Sequence, residues 1–483
     1  MKTILNFSPI GLVIVLIFCI SQLGSAQHAS ALSYDNFSGI HGVVKNPAFG
    51  QHGQLGWDVN LASGHLYGRT TYGSVVNSNL FNLIGDGEPI PIFGDDEMSV
   101  NPQVRGIIFN DRSASAYAHV DIMGPSFWID LKPVGIGGFI RGRVDASLPS
   151  VPSTLSYPEI QNLAPGDARS VNNLQSAGAA WTEYGVSISS NSFGFDDISV
   201  GINVKYLQGH EGYLLSSSDN FDFTRTLDEQ LQIVTQDAFL AFTDGLRAGQ
   251  NISRQNRGRG WAIDLGYSKT FERIRLGVSV LDIGRINFNN SGALHQLVLD
   301  EAIDLDIDAL SEIESIDDLI DIVDLAALNS TLVDNNFTVR TPARLLVNFD
   351  YQVSRYLYVN GALSQSFATS DEAIRSENNV SISPRYERRW LAVSLPVTVN
   401  SYESIHFGLA ARLGPLTLGT DNLTSLFGSR EFNGTSVYAA VRVYPFRDSK
   451  KNKGVECPKV RRSPWDSAKP IKGVERMRSP GKK

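Results

Sequence analysis

Apolar and polar residues alternate one by one along stretch after stretch of residues 55–446, and charged side chains stand in the middle of the polar series. Leu55, Trp57, Val59 and Leu61 begin the pattern. Ala180, Thr182, Tyr184, Val186 and Ile188 continue it, and Ile198, Val200, Ile202, Val204 and Tyr206 flank Ser199, Asn203 and Lys205. Trp261, Ile263, Leu265 and Tyr267 alternate with Asp264 and Ser268. Ala343, Leu345, Val347, Phe349 and Tyr351 enclose Arg344, Asn348 and Asp350, and Val437, Ala439, Val441 and Val443 enclose Tyr438 and Arg442. A period of two places one set of side chains on each face of a sheet. Two architectures satisfy it. A soluble sandwich hides the apolar face, whereas a membrane barrel turns that face to lipid and lines its lumen with the polar one. Arg344, Asp350 and Arg442 sit mid-strand, where a charge needs water or a partner. Trp57, Trp128, Trp181, Tyr184, Trp261, Tyr267, Tyr356, Tyr358 and Trp390 recur near strand ends and are expected in an aromatic belt. The predicted fold is therefore all-β, a transmembrane antiparallel β-barrel of about 14 strands at the 9–11 residues a tilted membrane strand needs.

The rest of the composition fits that frame. Mean hydropathy is −0.10, too low for a bundle of membrane helices but ordinary for a barrel. The one long apolar run, Ile10–Ile20, follows Lys2 and precedes Gly24-Ser25-Ala26, which predicts a signal peptide over 1–26. Lipoprotein processing at Cys19 is rejected because Phe18 stands where a small residue is needed. After cleavage Cys457 is the one cysteine left, which excludes an intramolecular disulfide framework. The net charge of −8 is uneven: from Arg447 onward thirteen Lys and Arg face four Asp and Glu. The basic tail 447–483 is thus +9 and the remainder −17. Few apolar residues and many Pro, Gly and Lys predict that this tail is disordered when alone.

Between Arg285 and Arg340 there is no Lys or Arg, and Leu310, Ile313, Ile320, Val323 and Ala327 recur at helical spacing. This predicts an acidic helical insertion over about residues 295–335. A second helix is predicted from about Leu227 to Leu246. Asp304, Asp306 and Asp308 lack the glycine and closing glutamate of a calcium loop and read as a solvated acidic face. The eight histidines form no zinc pair, and no Gly-x-Ser-x-Gly elbow occurs. Gly135-Ile136-Gly137-Gly138 continues into a strand pattern and lacks the third glycine of a dinucleotide loop. The expectation is a protein with no catalytic, cofactor or metal site. A hydrolase triad assembled from distant strands is kept as an alternative, because triads have no fixed order along a chain.

Ser38-Gly39-Ile40 and Lys45-Asn46-Pro47-Ala48-Phe49 resemble the Asn-Pro-Ala segment of the outer-membrane long-chain fatty-acid transporter family, the FadL-like barrels. The stretches 181–185, 200–209 and 406–422 resemble an uncharacterised family of Bacteroidota outer-membrane barrels, and barrels of the PorP/SprF type form a second functional class. The resemblance implies a short N-terminal plug over 27–54, with Asn46, Pro47 and Ala48 as plug residues, and a barrel over 55–446 in the outer membrane, in contact with its lipid. It implies passage of apolar or amphipathic small molecules. The alternative is a secretion or gliding assembly barrel whose tail docks a periplasmic protein or peptidoglycan. The docking residues would be Lys450, Lys451, Lys453, Arg461, Arg462, Arg476 and Arg478. An exported chain meets no nucleic acid, so none is expected as a partner.

Overall fold

The computed structural model describes residues 33–80, 106–109, 112–155, 164–171, 174–191, 197–217, 221–225, 231–243, 256–305, 329–427 and 431–445. Fourteen wall strands can be traced among them. They are β1 (Trp57–Thr70), β2 (Ala114–Met123, continued by Ser126–Asp130), β3 (Val134–Val151), β4 (Gln175–Ser190), β5 (Ile198–Ser217), β6 (Leu231–Thr243, continued by Gly258–Phe271) and β7 (Ile274–Leu305). Next come β8 (Asn329–Arg340, continued by Arg344–Gln352), β9 (Leu357–Ser366), β10 (Asn379–Glu387), β11 (Leu391–Ser394, continued by Val397–Asn400), β12 (Ser404–Phe407, continued by Leu409–Leu413), β13 (Leu416–Thr420) and β14 (Gly434–Val443). Each pairs antiparallel with the next, and β14 pairs back onto β1 from Val59↔Val443 to Arg69↔Gly434. Closure removes the edges that an open sheet exposes. Several interruptions have a local cause. Pro125, Pro342 and Pro396 fall where β2, β8 and β11 break, since proline offers no N–H to the ladder.

The alternation is realised inside out. Val186, Val204, Ile263 and Ile283 are neighbours across four strands, and all four are exposed. Ser187, Asn203, Lys205 and Asp264 lie beside them in sequence and are buried. Beyond that row Tyr184 and Tyr206 form a tilted pair with ring centroids 6.4 Å apart, and Tyr206 meets Trp261 in a T-shaped contact at 5.2 Å. An apolar outer wall edged by aromatics around a polar interior is the pattern of a barrel in lipid.

Three expectations are corrected. Trp128 and Trp181 face the lumen, each about 1% exposed, and do not belong to an outer belt. Trp181 shares the inward parity of Glu183 and donates its ring N–H to that carboxylate at 3.1 Å. The helix predicted over Leu227–Leu246 is absent where the chain is described, because Leu231–Thr243 is strand, paired with both β5 and β7. Its apolar residues serve two faces, since Ala238, Ala241 and Phe242 are all buried. The margins of the acidic insertion are strand as well: β7 runs on to Leu305, and β8 begins at Asn329. Its helical stretch, 310–327, lies outside the described residues, as do the signal peptide and the tail.

The turns at one end of the barrel are short, such as Glu272-Arg273 between β6 and β7. The start of β1 and the end of β14 lie at that same end. The other end carries the longer connections, and a separate three-stranded sheet forms there from Gly73–Val76, Gly106–Phe109 and Glu431–Phe432.

Candidate functional site

The lumen is occupied by the chain's own N-terminal segment. Residues 33–51 are nearly all buried, and they contain α1 (Ile40–Lys45) and a 3₁₀ turn at Pro47–Gln51. Asn46 links the two. Its carboxamide oxygen accepts from Ala48 N at 3.0 Å and caps the turn, and Pro47 supplies the preset φ at the first position. Its amide nitrogen donates to Tyr267 O and Val278 O on β6 and β7. Wall side chains hold the segment's backbone carbonyls in turn. Asn203 donates to Val43 O, Ser279 to Lys45 O and Ser199 to Ala48 O, at 3.2, 2.8 and 2.7 Å. Arg442 donates to Phe37 O, and Arg275 to Tyr34 O. Asp58 accepts from Ile40 N at 2.9 Å, and Arg412 pairs with Asp35 at 3.0 Å. Each of these bonds satisfies a backbone or charged group that is cut off from bulk water.

Apolar contacts complete the seat. Ile40, Val43 and Val44 form one face of α1 and pack on Met123, Trp128 and Phe139. Tyr34 and Phe49 pack on Leu281, Leu346 and Ala362. The wall approaches most closely at two glycines. A Cβ on Gly201 would lie 2.7 Å from Ala48 N, and one on Gly266 would lie 2.8 Å from Pro47 Cδ. No side chain fits between the wall and Asn46-Pro47-Ala48 at these points.

Beyond this seat, toward the loop end, a charged layer crosses the lumen. Arg143 lies over the ring of Trp181 at 4.8 Å and pairs with Asp145, Glu183 and Asp282 at 2.8 to 2.9 Å. Lys205 pairs with Asp264 and Asp282, Arg141 with Asp121 and Glu183, and His119 with Asp145. Asp282 reaches this layer through a bulge. The β6–β7 register shifts between Ile263 and Leu265, and Asp282 adopts φ 58. Leu281 and Asp282 therefore both turn inward, where regular alternation would send one of them out.

A second closure lies at the loop end. The connection from β9 to β10 reaches across to β3 and β4: Arg375 N donates to Ser147 Oγ at 2.8 Å, and Gln175 joins Asp371 and Arg375 at 2.6 and 2.9 Å. Glu377 pairs with Arg69 of β1. Ile374 enters the apolar cluster of Trp181, Leu207, Phe288 and Phe337. This strap and the charged layer are invisible to sequence patterning, because Arg143 and Asp282 are 139 positions apart. The parity of Arg143, Glu183 and Lys205 was the available signal, and it gives inwardness but not partners.

Of the residues singled out from sequence, Asn46, Pro47 and Ala48 lie together in the lumen against β5 and β6. Lys450, Lys451, Lys453, Arg461, Arg462, Arg476 and Arg478 lie outside the described residues. Among the described residues no group of three or more His, Cys, Asp or Glu is placed to hold a metal ion.

Titration should couple to this seat. Burial first, then the Arg442 charge, lowers His41 to about 3, and burial with Arg275 lowers His52 to about 4. Burial, then Arg344, lowers Lys45 to about 7. All three favour the neutral form when seated. Released into water, the histidines take up protons near pH 6.5, so below that pH the free segment binds more protons than the seated one. Seating should weaken by at most about 1.4 kcal/mol per histidine for each pH unit below 6.5, down to the seated value. Lys45 acts in the same sense at higher pH, strengthening the seat between about 7 and its ordinary value. Protease access to residues 33–52 should therefore rise as the pH falls from 7.5 to 4.5. A flat profile would show that these groups do not govern the seat.

The sequence pattern of the Family of unknown function (DUF5723) matches residues 47–421. The chain belongs to this family. The match begins at Pro47 of the luminal segment and ends just past β13. No curated protein matches this DUF5723 chain. Among solved structures it is similar to one titled TodX deltaS2S3 mutant monoaromatic hydrocarbon channel, with 11% identity, a TM-score of 0.41 and coverage of 84% of this chain and 94% of that one. It is also similar to the P. putida toluene transporter TodX, at 10% identity, TM-score 0.37 and 84% and 92% coverage. A Pseudomonas aeruginosa FadL homologue matches at 11% identity and TM-score 0.38, covering 89% and 98%.

Proposed function

We propose that this protein is a gated outer-membrane barrel that passes apolar or amphipathic small molecules, with residues 33–52 as its plug. The observation that carries the reading is the seat itself. Ser199, Asn203, Ser279 and Arg442 all commit side-chain donors to the backbone of one N-terminal segment inside the wall. A barrel needed only as a rigid wall can fill its lumen with wall side chains. A detachable filling held by polar bonds suits a passage that opens. The short turns and both ends of the described barrel share one end, which in barrels of this kind faces the periplasm. The plug then inserts from the periplasmic side, and the strap covers the outer mouth.

Deleting residues 27–50 should raise the permeability of liposomes to small apolar and amphipathic solutes while the barrel stays heat-modifiable on gels. Unchanged permeability of a folded deletion variant would sink the plug reading.

A further inference from the structure

At the loop end, between β5, β6, β7, β8 and the strap, lies a cavity of about 870 Å³. That volume is in the range of sites for small organic ligands. Its two sides differ in chemistry. Leu214, Phe239, Leu294 and Phe337 supply an apolar floor, and Phe337 is anchored in the buried cluster with Phe288 stacked on it at 4.9 Å. Among the described residues the lining carries Asp334, Asp371 and Glu372 against the guanidinium of Arg340, with Arg375 held nearby on Gln175. Each carboxylate already holds one partner: Asp334 accepts from Asn336 at 2.9 Å, Asp371 from Gln175 at 2.6 Å, and Glu372 pairs with Arg340 at 3.4 Å. A carboxylate offers about four acceptor sites, so each retains capacity for a further donor.

We infer that this cavity binds a small amphiphile with a cationic head, its apolar part on the Phe239–Phe337 floor and its ammonium among the rim carboxylates. The inference deepens the transport reading and rests on it for its purpose, but the site is testable by itself. An anionic amphiphile of the same tail would meet a rim of net negative charge. The rim is open to solvent, so the preference should be modest and should shrink as salt rises. Occupancy would also compete for Asp371, which Gln175 uses to tie the strap to β4.

Octylamine, octanol and octanoate can be titrated by calorimetry against the full-length protein in nanodiscs of zwitterionic lipid, with empty discs as the reference. Octylamine should bind saturably and at least about fivefold more tightly than octanoate, a ratio suited to partly screened charges. Combining Asp334→Asn with Glu372→Gln should bring that ratio close to one while leaving gel mobility, and hence the fold, unchanged. Octanoate binding as tightly as octylamine, or a ratio that survives the double substitution, would overturn the site. If the ratio holds while deletion of residues 27–50 leaves permeability flat, the site stands and the transport reading fails.

Discussion

Replacing Asp282 by Asn is expected to cost the barrel about 3 kcal/mol, the lower end of the range for neutralising one partner of a buried ion pair. Asp282 is 2% exposed and faces Arg143, Lys205 and Arg344 at once. Asn keeps the shape and loses the charge. Arg143 would keep Asp145 and Glu183, and Lys205 would keep Asp264, which is why the loss stays below the full figure for an abandoned charge. The layer adds little net stability merely by existing, because desolvation offsets most of its attraction. Its effect is to make one arrangement of seven strands, β2 to β8, far better than a slipped one. Urea unfolding of the detergent-solubilised protein, monitored by gel mobility, measures the change. A difference below about 1 kcal/mol would mean that water reaches the layer and screens it. Adding Arg344→Gln to Asp282→Asn should recover part of the loss, since the two groups are in contact and their effects should not add.

The wall was legible in the sequence because lipid on one side and charge on the other leave no freedom in parity. Ile202, Val204 and Ile263 had to face out once Asn203, Lys205 and Asp264 faced in. Where residue type was read in place of parity, the reading failed. Trp181 belongs with Glu183 and Ala179, and its aromatic character alone suggested a belt. The Leu231–Thr243 stretch looked helical because apolar residues on both faces of a covered strand mimic a spacing of three and four. Asp282 was beyond reach for a different reason: a bulge depends on the neighbouring strand, and local sequence carries no sign of the inward turn. The luminal segment was legible only as a short Asn-Pro-Ala motif. Its partners Ser199, Ser279 and Arg442 look like any other polar residues of a barrel strand.

Converting Gly201 and Gly266 to Val together should expel the luminal segment while leaving the outer wall intact. Both glycines face inward on adjacent strands and are paired with each other. A side chain on either collides with the backbone or ring of Asn46-Pro47-Ala48, and backbone held on several sides cannot yield as a flexible side chain would. Overpacking of this kind costs about 1–3 kcal/mol at one site, and two adjacent sites act on the same three residues. The outer face of β5 and β6 is untouched, and valine suits a strand better than glycine does. The wall should therefore stay folded as the plug is lost, although it forgoes the packing of the plug on Met123, Trp128 and Leu346. Two measurements separate these effects. In a Cys457→Ser background, an Ala48→Cys reporter at a position fully buried in the parent should become reactive to a membrane-impermeant thiol reagent, and channel conductance should rise toward that of the 27–50 deletion. The wall should remain heat-modifiable on gels. If Cys at position 48 stays protected in a folded Gly201→Val/Gly266→Val protein, the segment is part of the wall's core and not a removable plug, and the gating reading falls with it.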